Sequence, residues 1–419
     1  MCDHAKFSVD FRLALSGRLI SSLQVDRRST IRQVREELTQ KAAGSSAPLC
    51  GTWSLLYGGK ILAETAAVDQ VLVDHALVDV VCSAQGRVVV TASNDCTARV
   101  FNLGTGDCLE LRGHFGQVFA CTVSANHCLL ATASEDGTAR VWAVHDGNPV
   151  QLLCLGHDGE VYSAVFSSCS SLVVTASQDG TACLWCSHTG RKHWRFPHAA
   201  EVYLATFSFD DQLVLTSSAD GAACIVSVGT GELAARLEGH TGGVNRAEFS
   251  PVSSLVVTAS STTAHLWDGT TSTRLHDMIG DSELKFVNFS SDGKLVLATR
   301  ASGSAEVWCV VTGELMWTCT HHSEPVYMAA SCMHGANIAL ACEDGTATLW
   351  SRDGELLLTL ADHEDAVTWI SFSPWADMLV TASWDGTARL WSTDSGECLE
   401  IFEGHAAPVL YAEFSYLQN

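Results

Sequence analysis

Histidine, aspartate and a hydroxyl residue recur in this chain at spacings that could support acid–base or nucleophilic chemistry. His114 stands 22 residues before Asp136, with Thr132 between them and Trp142 just beyond. His157, Thr175, Asp179 and Trp185 repeat the set, and so do His363, Thr381, Asp385 and Trp391. An imidazole sharing a carboxylate and a hydroxyl has the parts of a general base and a nucleophile. Repetition argues otherwise. Catalysis needs one constellation, whereas a recurring one answers a recurring structural need. A carboxylate buried beside a turn must be satisfied, and imidazole and hydroxyl groups do that. These sets are therefore structural, and no catalytic residue is expected.

Other candidate chemistry is weaker. Cys183 and Cys186 have the CxxC spacing but sit in a strand-like run. Residues three apart on a strand face opposite ways, which suits neither metal nor redox use. His321-His322 is a lone pair whose second member belongs to another histidine–aspartate set. The basic run Arg191–Arg195 falls on an outer strand, where charge discourages strand addition. The chain has no phosphate loop, dinucleotide fingerprint, HExxH or GxSxG. Neither cofactor nor metal is expected, and the reading is of a non-enzyme.

Those residues are placed by a repeat. Runs such as TASEDGTARVW, TASQDGTACLW and TASWDGTARLW recur from residue 87 onward. Their last positions are Phe101, Trp142, Trp185, Val226, Trp267, Trp308, Trp350 and Trp391, at steps of 41 to 43 residues. A fixed period of this length marks a repeat architecture. Each unit reads as four short strands divided by Asp-Gly and Gly-containing turns. One such sheet cannot bury both faces alone, but sheets arranged radially cover each other.

This pattern resembles the WD40 family of β-propellers. The resemblance implies that the His, Thr, Asp and Trp of each set form a hydrogen-bonded tetrad inside a blade. Several units depart from it. Val226 replaces Trp in the fourth, and the fifth lacks its Asp through a one-residue deletion. The sixth has Gly280 for His and Ser302 for Asp, and the seventh has Leu340 for the hydroxyl. Units five and six are therefore expected to be the softest.

The last segment, GHAAPVLYAEFSYLQN, is a single first-strand copy, and the first unit lacks that strand. The C-terminal strand is expected to complete blade one, with residues 409–415 beside residues 97–101 and His405 joining Thr91 and Asp95. That closes an eight-bladed ring over residues 84–419.

Residues 1–83 differ. They hold nine basic and nine acidic residues, so the whole excess of 23 acidic charges lies in residues 84–419. Two strand-like segments, a capped amphipathic helix over TIRQVREELTQKAA, the run LLYGGKIL and a late strand ALVDVVCS resemble a ubiquitin-like, α+β β-grasp domain. The resemblance places an apolar recognition patch near Leu15, Leu56 and Val81. The run VVCSAQGRV leads into the repeats, so this domain would act as a binding surface and not be conjugated. The fold class is thus mainly β, an eight-bladed propeller behind a small ubiquitin-like domain.

In WD40 propellers one rim presents three positions per blade. Two lie three and five residues after the His, and one lies just before the Asp. Here they include Asn94, Gln117, Phe119, Glu135, Glu160, Tyr162, Gln178, Glu201, Tyr203, Glu283, Lys285, Tyr327, Glu343, Thr368, Trp384 and Leu410. Aromatic groups among carboxylates favour a segment bearing Lys or Arg. Trp384 is the leading single anchor.

The net charge of −23 argues against a nucleic-acid partner and against docking on anionic membranes. No apolar run reaches the length of a membrane span. The 17 cysteines, met without a secretory leader, point to reduced core thiols and a cytoplasmic protein. The function expected is a protein-interaction scaffold. A substrate receptor or cofactor of the ubiquitin–proteasome system and an assembly factor for axonemal dynein are the alternatives.

Overall fold

The structure, a computed structural model, describes residues 87–416 except 146, 147, 281 and 334, and the backbone of five strands between Lys6 and Cys82. The chain separates into two compact units, chiefly residues 1–87 and chiefly residues 88–417. Among the described residues every regular element is a strand.

The larger unit is an eight-bladed β-propeller, eight four-stranded antiparallel sheets in chain order. Blade two illustrates the pattern: Val118–Val123, Leu129–Ser134, Thr138–His145 and Asn148–Gly156, from the channel outward. The second strand, LLATAS, is buried at all six positions. Neighbouring blades cover it from both faces, so it reads as a continuous apolar and small-residue run and does not alternate. The outermost strand of blade three, Lys192–Pro197, is mostly exposed and carries the basic run.

In every blade but the fifth, the turn after the second strand holds one residue at positive φ. Gly137 holds φ +79° there, and Asp136 Oδ1 accepts the Thr138 N–H at 2.9 Å. In blade one Cys96 takes that place with φ +68°, a conformation that suits glycine better.

The apolar core runs between blades. Leu129, Val141 and Leu155 of blade two meet Phe166, Val173 and Trp185 of blade three in one cluster. Val88, Val100 and Leu111 of blade one likewise meet Leu130 and Trp142 of blade two.

Closure differs from the sequence expectation in one respect. The terminal strand Val409–Tyr416 pairs with Arg87–Ser93, not with residues 97–101. In every other blade the channel strand lies beside the largely buried second strand, and blade one keeps that order. The Asn94 N–H reaches Pro408 O at 3.0 Å, and Phe101 packs on Phe402 of blade eight with ring centroids 4.9 Å apart. The ring is thereby joined on both sides of blade one.

In the first unit the strands order as Leu19–Asp26, Lys6–Leu13, Ala76–Cys82, Trp53–Tyr57 and Lys60–Ile61. Lys6–Leu13 runs parallel to Ala76–Cys82 and antiparallel to Leu19–Asp26. Leu56 and Val81 lie on paired strands, whereas Leu15, the expected helix and the linker at residues 84–86 lie outside the described residues.

Candidate functional site

The tetrads are hydrogen-bond chains in which a neutral imidazole links a hydroxyl to an ionised carboxylate. In blade two His114 Nδ1 lies 2.8 Å from Asp136 Oδ2, and His114 Nε2 lies 2.7 Å from Thr132 Oγ1. The Trp142 indole N–H donates to the same Thr132 Oγ1 at 2.9 Å. An ionised carboxylate only accepts, so the imidazole proton sits on Nδ1 and Nε2 accepts from the threonine hydroxyl. Burial lowers the His114 pKa despite Asp136. Burial pushes the Asp136 carboxyl up, but hydrogen bonds from Thr138 and His114 outweigh it and hold the pKa low. Blades three and eight repeat the chain, with His157–Asp179 at 3.0 Å and His363–Asp385 at 2.7 Å. A histidine locked at both nitrogens has no free atom for substrate.

The departing blades solve the same problem by other means. In blade one His405, from the loop before the terminal strand, lies 2.8 Å from both Thr91 Oγ1 and Asp95 Oδ2, with Phe101 in place of Trp. Blade four keeps His198, Asp220 and Thr216 without the indole. In blade seven Thr348, from the adjacent strand, replaces the hydroxyl missing at Leu340: His322 Nε2 lies 3.1 Å away and Trp350 donates at 2.9 Å. In blade five Thr263 stands 3.2 Å from His240 Nδ1, and the His240 ring stacks on His265 at 4.2 Å. Burial, His265 and Arg274 together bring the His240 pKa down to about 4.

Blade six replaces the tetrad with an ion pair. Arg300 Nε and Nη2 donate to the two carboxylate oxygens of Glu306 at 2.7 and 2.9 Å, and the Trp308 indole donates to Glu306 at 3.1 Å. Arg300 Nη1 donates to the Ser282 carbonyl at 2.8 Å. A Cβ on Gly280 would overlap the guanidinium, so the missing histidine makes the room that Arg300 fills.

The rim positions share one local geometry. Val118, Val161, Val202, Val326, Val367 and Val409 are fully buried between the two positions that follow each His. Phe119, Tyr162 and Tyr203 of blades two to four form one aromatic row, with centroid separations of 5.8 and 5.9 Å. Glu135 is exposed beside Gln117, whose N–H donates to it at 3.1 Å, and Gln178 is exposed on blade three. The Tyr162 hydroxyl reaches Glu201 at 3.5 Å, and burial, then Glu201 and Glu160, push its pKa up to about 12. A second cluster lies on blades seven and eight. Tyr327 and Trp384 approach to 6.1 Å, Trp384 is 42% exposed, and burial with Glu343 raises the Tyr327 phenol to about 12.

Other rim positions are less open. Lys285 is paired with Glu283 at 3.1 Å, and Thr368 turns its hydroxyl back to Val409 O at 3.3 Å. Asn94 and Leu410 of blade one are half-buried. Blade five offers only Gly243 and Asn245.

The sequence reading missed the channel beneath this rim. A shift in strand register after the rim positions turns the following residues toward the axis. Blades two and three place Ala120 and Ser163 there, whereas blades five, six, eight and one place Arg246, Phe286, Trp369 and Tyr411. Arg246 lies over the Phe286 ring at 3.6 Å, and Trp369 packs on Tyr411 at 4.4 Å. Glu248 and Glu413 lie one layer further along, and the Tyr411 hydroxyl donates to Glu413 at 2.6 Å. The signal was the recurrence of RAEFS and YAEFS in two first strands, which puts a carboxylate at a channel position twice.

The family profile described as "WD domain, G-beta repeat" matches residues 68–102, 107–143, 147–186, 231–268 and 354–392. Its first match takes in Ala76–Cys82, which the structure pairs with strands of the first unit. The stretches left unmatched hold Val226, blade six and most of blade seven, whereas blade five is matched although it lacks its Asp. Over 79 residues the chain is 30% identical to eukaryotic translation initiation factor 3 subunit I of Debaryomyces hansenii, covering 19% of this chain. The match spans 23% of that relative's length. The crystal structure of the computationally designed Ika8 protein is similar at a TM-score of 0.65 and 27% identity, over 73% of this chain and 93% of that one. The chain carries WD40 repeats, and propellers built from them typically serve as protein-interaction scaffolds without catalysis of their own.

Proposed function

We propose that this WD40 protein is a non-enzymatic scaffold whose rim holds a basic segment of a protein partner. One observation carries the reading: two aromatic clusters, Phe119–Tyr162–Tyr203 and Tyr327–Trp384, are each set among carboxylates on the same rim. Aromatic faces attract guanidinium and ammonium groups, and the neighbouring Glu160, Glu201 and Glu343 add charge. Arrangement around a ring lets one extended segment reach both clusters. Likeness to a subunit of a multi-part initiation factor accords with a place in a larger assembly.

Residues 1–83 form, on this reading, a ubiquitin-like module that recruits a second partner in the cytoplasm, and residues 84–419 form the platform. The strand order of the first unit, with its first strand parallel to its last, supports this and keeps a role in the ubiquitin–proteasome system as the second reading.

The test is affinity purification with mass-spectrometric readout. Wild type is compared with Tyr162→Ala/Tyr203→Ala/Trp384→Ala and with a chain lacking residues 1–83. Partners lost only from the rim variant are expected, and their docking segments should be rich in Lys and Arg. An unchanged partner set in a folded rim variant would overturn the assignment. Loss of proteasome or ligase subunits on deleting residues 1–83 would favour the second reading.

A further inference from the structure

The channel holds two cavities, both bordered by the packed Trp369 and Tyr411 rings. One, of about 460 Å³, runs along the channel strands of blades two to five, from Phe119, Tyr162 and Tyr203 at the rim past Arg246 to Thr206 and Phe249. The other, of about 390 Å³, lies where the first strands end, among Ser291, Ser331 and Pro374. Both reach Glu248, Trp369 and Tyr411, but only the second reaches Glu413 and Asn288. Arg246 lines the first cavity and not the second.

The two cavities differ in charge. Arg246 borders the first, Glu248 borders both, and Glu413 borders the second, whose lining has no Lys, Arg or His among the described residues. The compensation inside is incomplete. Arg246 Nη2 is 3.8 Å from Glu248, and the two side chains keep 25% and 29% of their surface open to the channel. Among the described residues Glu413 has the Tyr411 hydroxyl as its side-chain hydrogen-bond partner, and burial pushes its pKa up. Burial likewise brings Glu248 to about 7 against the pull of Arg246. Asn288 donates through Nδ2 to the Ala329 carbonyl at 3.1 Å, while its Oδ1 is buried with no hydrogen-bond partner. Three acceptors on the channel strands of blades five, six and one thus surround a cavity walled by the Trp369 and Tyr411 rings.

We propose that this second cavity is a binding site for a guanidinium group, the end of an arginine side chain or of a small guanidino compound. A planar cation with five donors satisfies acceptors arriving from several strands and stacks on aromatic walls, which a compact ammonium does less well. It also supplies the positive charge that Glu248 and Glu413 lack. The inference rests on the channel and is independent of the rim reading.

Calorimetric titration of the full-length protein tests it. The probes are agmatine and the pentapeptide Gly-Gly-Arg-Gly-Gly, with Gly-Gly-citrulline-Gly-Gly as the neutral match and Gly-Gly-Lys-Gly-Gly as the compact cation. Saturable binding of at least one guanidinium probe is expected, with the citrulline peptide at least tenfold weaker and the lysine peptide weaker than the arginine one. Preference for agmatine would mark a small-molecule source, and preference for the peptide a protein source. Glu413→Gln is expected to weaken binding about tenfold, and the rim triple variant to leave it unchanged. Equal binding of the arginine and citrulline peptides overturns the proposal, as does no binding at millimolar concentrations. Both outcomes are read on the wild type, so they stand even if Glu413→Gln fails to fold. Loss of binding in the rim variant would also overturn it, by moving the guanidinium site to the rim.

Discussion

Blades two and six occupy equivalent places in the ring and hold their inner hydrogen-bond networks with opposite chemistry. Blade two uses a neutral chain, Trp142–Thr132–His114, ending on the Asp136 carboxylate at its edge. Blade six buries a full ion pair, Arg300 on Glu306, with Arg300 wholly inaccessible. In both, an indole N–H is satisfied and a loop carbonyl or amide is tied to the sheet: Phe115 N–H to Asp136, Ser282 O to Arg300. The lesson is that the repeat selects for a closed polar network linking loop to strand, not for particular residues. The difference lies in the risk. Losing one member of a neutral chain leaves a polar group unpaired, whereas losing one member of a buried ion pair leaves a charge.

The largest effect should come where the network is shared between the chain's two ends. Truncation after Glu403 removes His405 and the strand Val409–Tyr416, exposes Arg87–Ser93 as an edge, and deletes the buried Val409 and Tyr411. At roughly 1.5–3 kcal/mol per large buried apolar side chain, several kcal/mol of stability go with it. A melting temperature within a degree or two of the full chain would refute closure by this strand.

Next come the single substitutions in blade six. Arg300→Met or Glu306→Leu alone should each cost about 3–5 kcal/mol, because the partner stays buried and charged. The double variant should recover most of that loss. Denaturant unfolding of all four proteins forms the cycle, and additive losses would contradict a coupled pair.

Blade seven sharpens the comparison at smaller scale. Thr348→Val removes the hydroxyl that serves both His322 and Trp350 and should cost about 1–3 kcal/mol. In the single variant Leu340→Thr the added hydroxyl should be nearly neutral, and in Thr348→Val/Leu340→Thr it should recover part of the loss. No recovery would mean that the register of blade seven differs from that of its neighbours.

The smallest effect is a pH dependence that separates the blade types. Burial lowers the pKa of His114, His157, His198, His363 and His405 below the ordinary value near 6.5. The unfolded chain therefore binds more protons than the folded one below about pH 6.5, so stability is complete above that pH and falls as pH drops. Their aspartate partners, held below the ordinary carboxylate value, extend the loss in the same direction below about pH 4. Thermal melts from pH 8 to 5 should show this decline, with blades built on histidine exchanging amide protons sooner than blade six. A melting temperature that rises on acidification would contradict the neutral-histidine assignment.

Much of this architecture is legible in the sequence because its period is carried by turn chemistry. The buried LLATAS-type strands mark the blades even where the tetrad is incomplete, whereas the Asp-Gly corners mark only blades that keep the tetrad Asp. The strand beside which the C-terminus inserts was harder to read, since Arg87–Ser93 and Ala98–Asn102 are both apolar and adjacent. Arg300 and Glu306 escaped notice because each occupies a position where other blades carry a different group, Ser134 and Arg140 in blade two. Only the space left by Gly280 makes the pair intelligible. The channel plug was hidden for a related reason: the register shift after the rim breaks strict alternation, so strand parity does not identify axial residues. The rim itself follows from the spacing to each histidine, but the gathering of its aromatic groups into two clusters depends on blade order around the ring.

The most direct test of the binding account is hydrogen–deuterium exchange on the full-length protein with and without a partner recovered through it. The account predicts protection concentrated at the rim segments around residues 117–119, 160–162, 201–203, 325–327 and 384, with the outer strands unchanged. Protection confined to an outer strand such as Lys192–Pro197, with the rim exchanging as in the free protein, would contradict it.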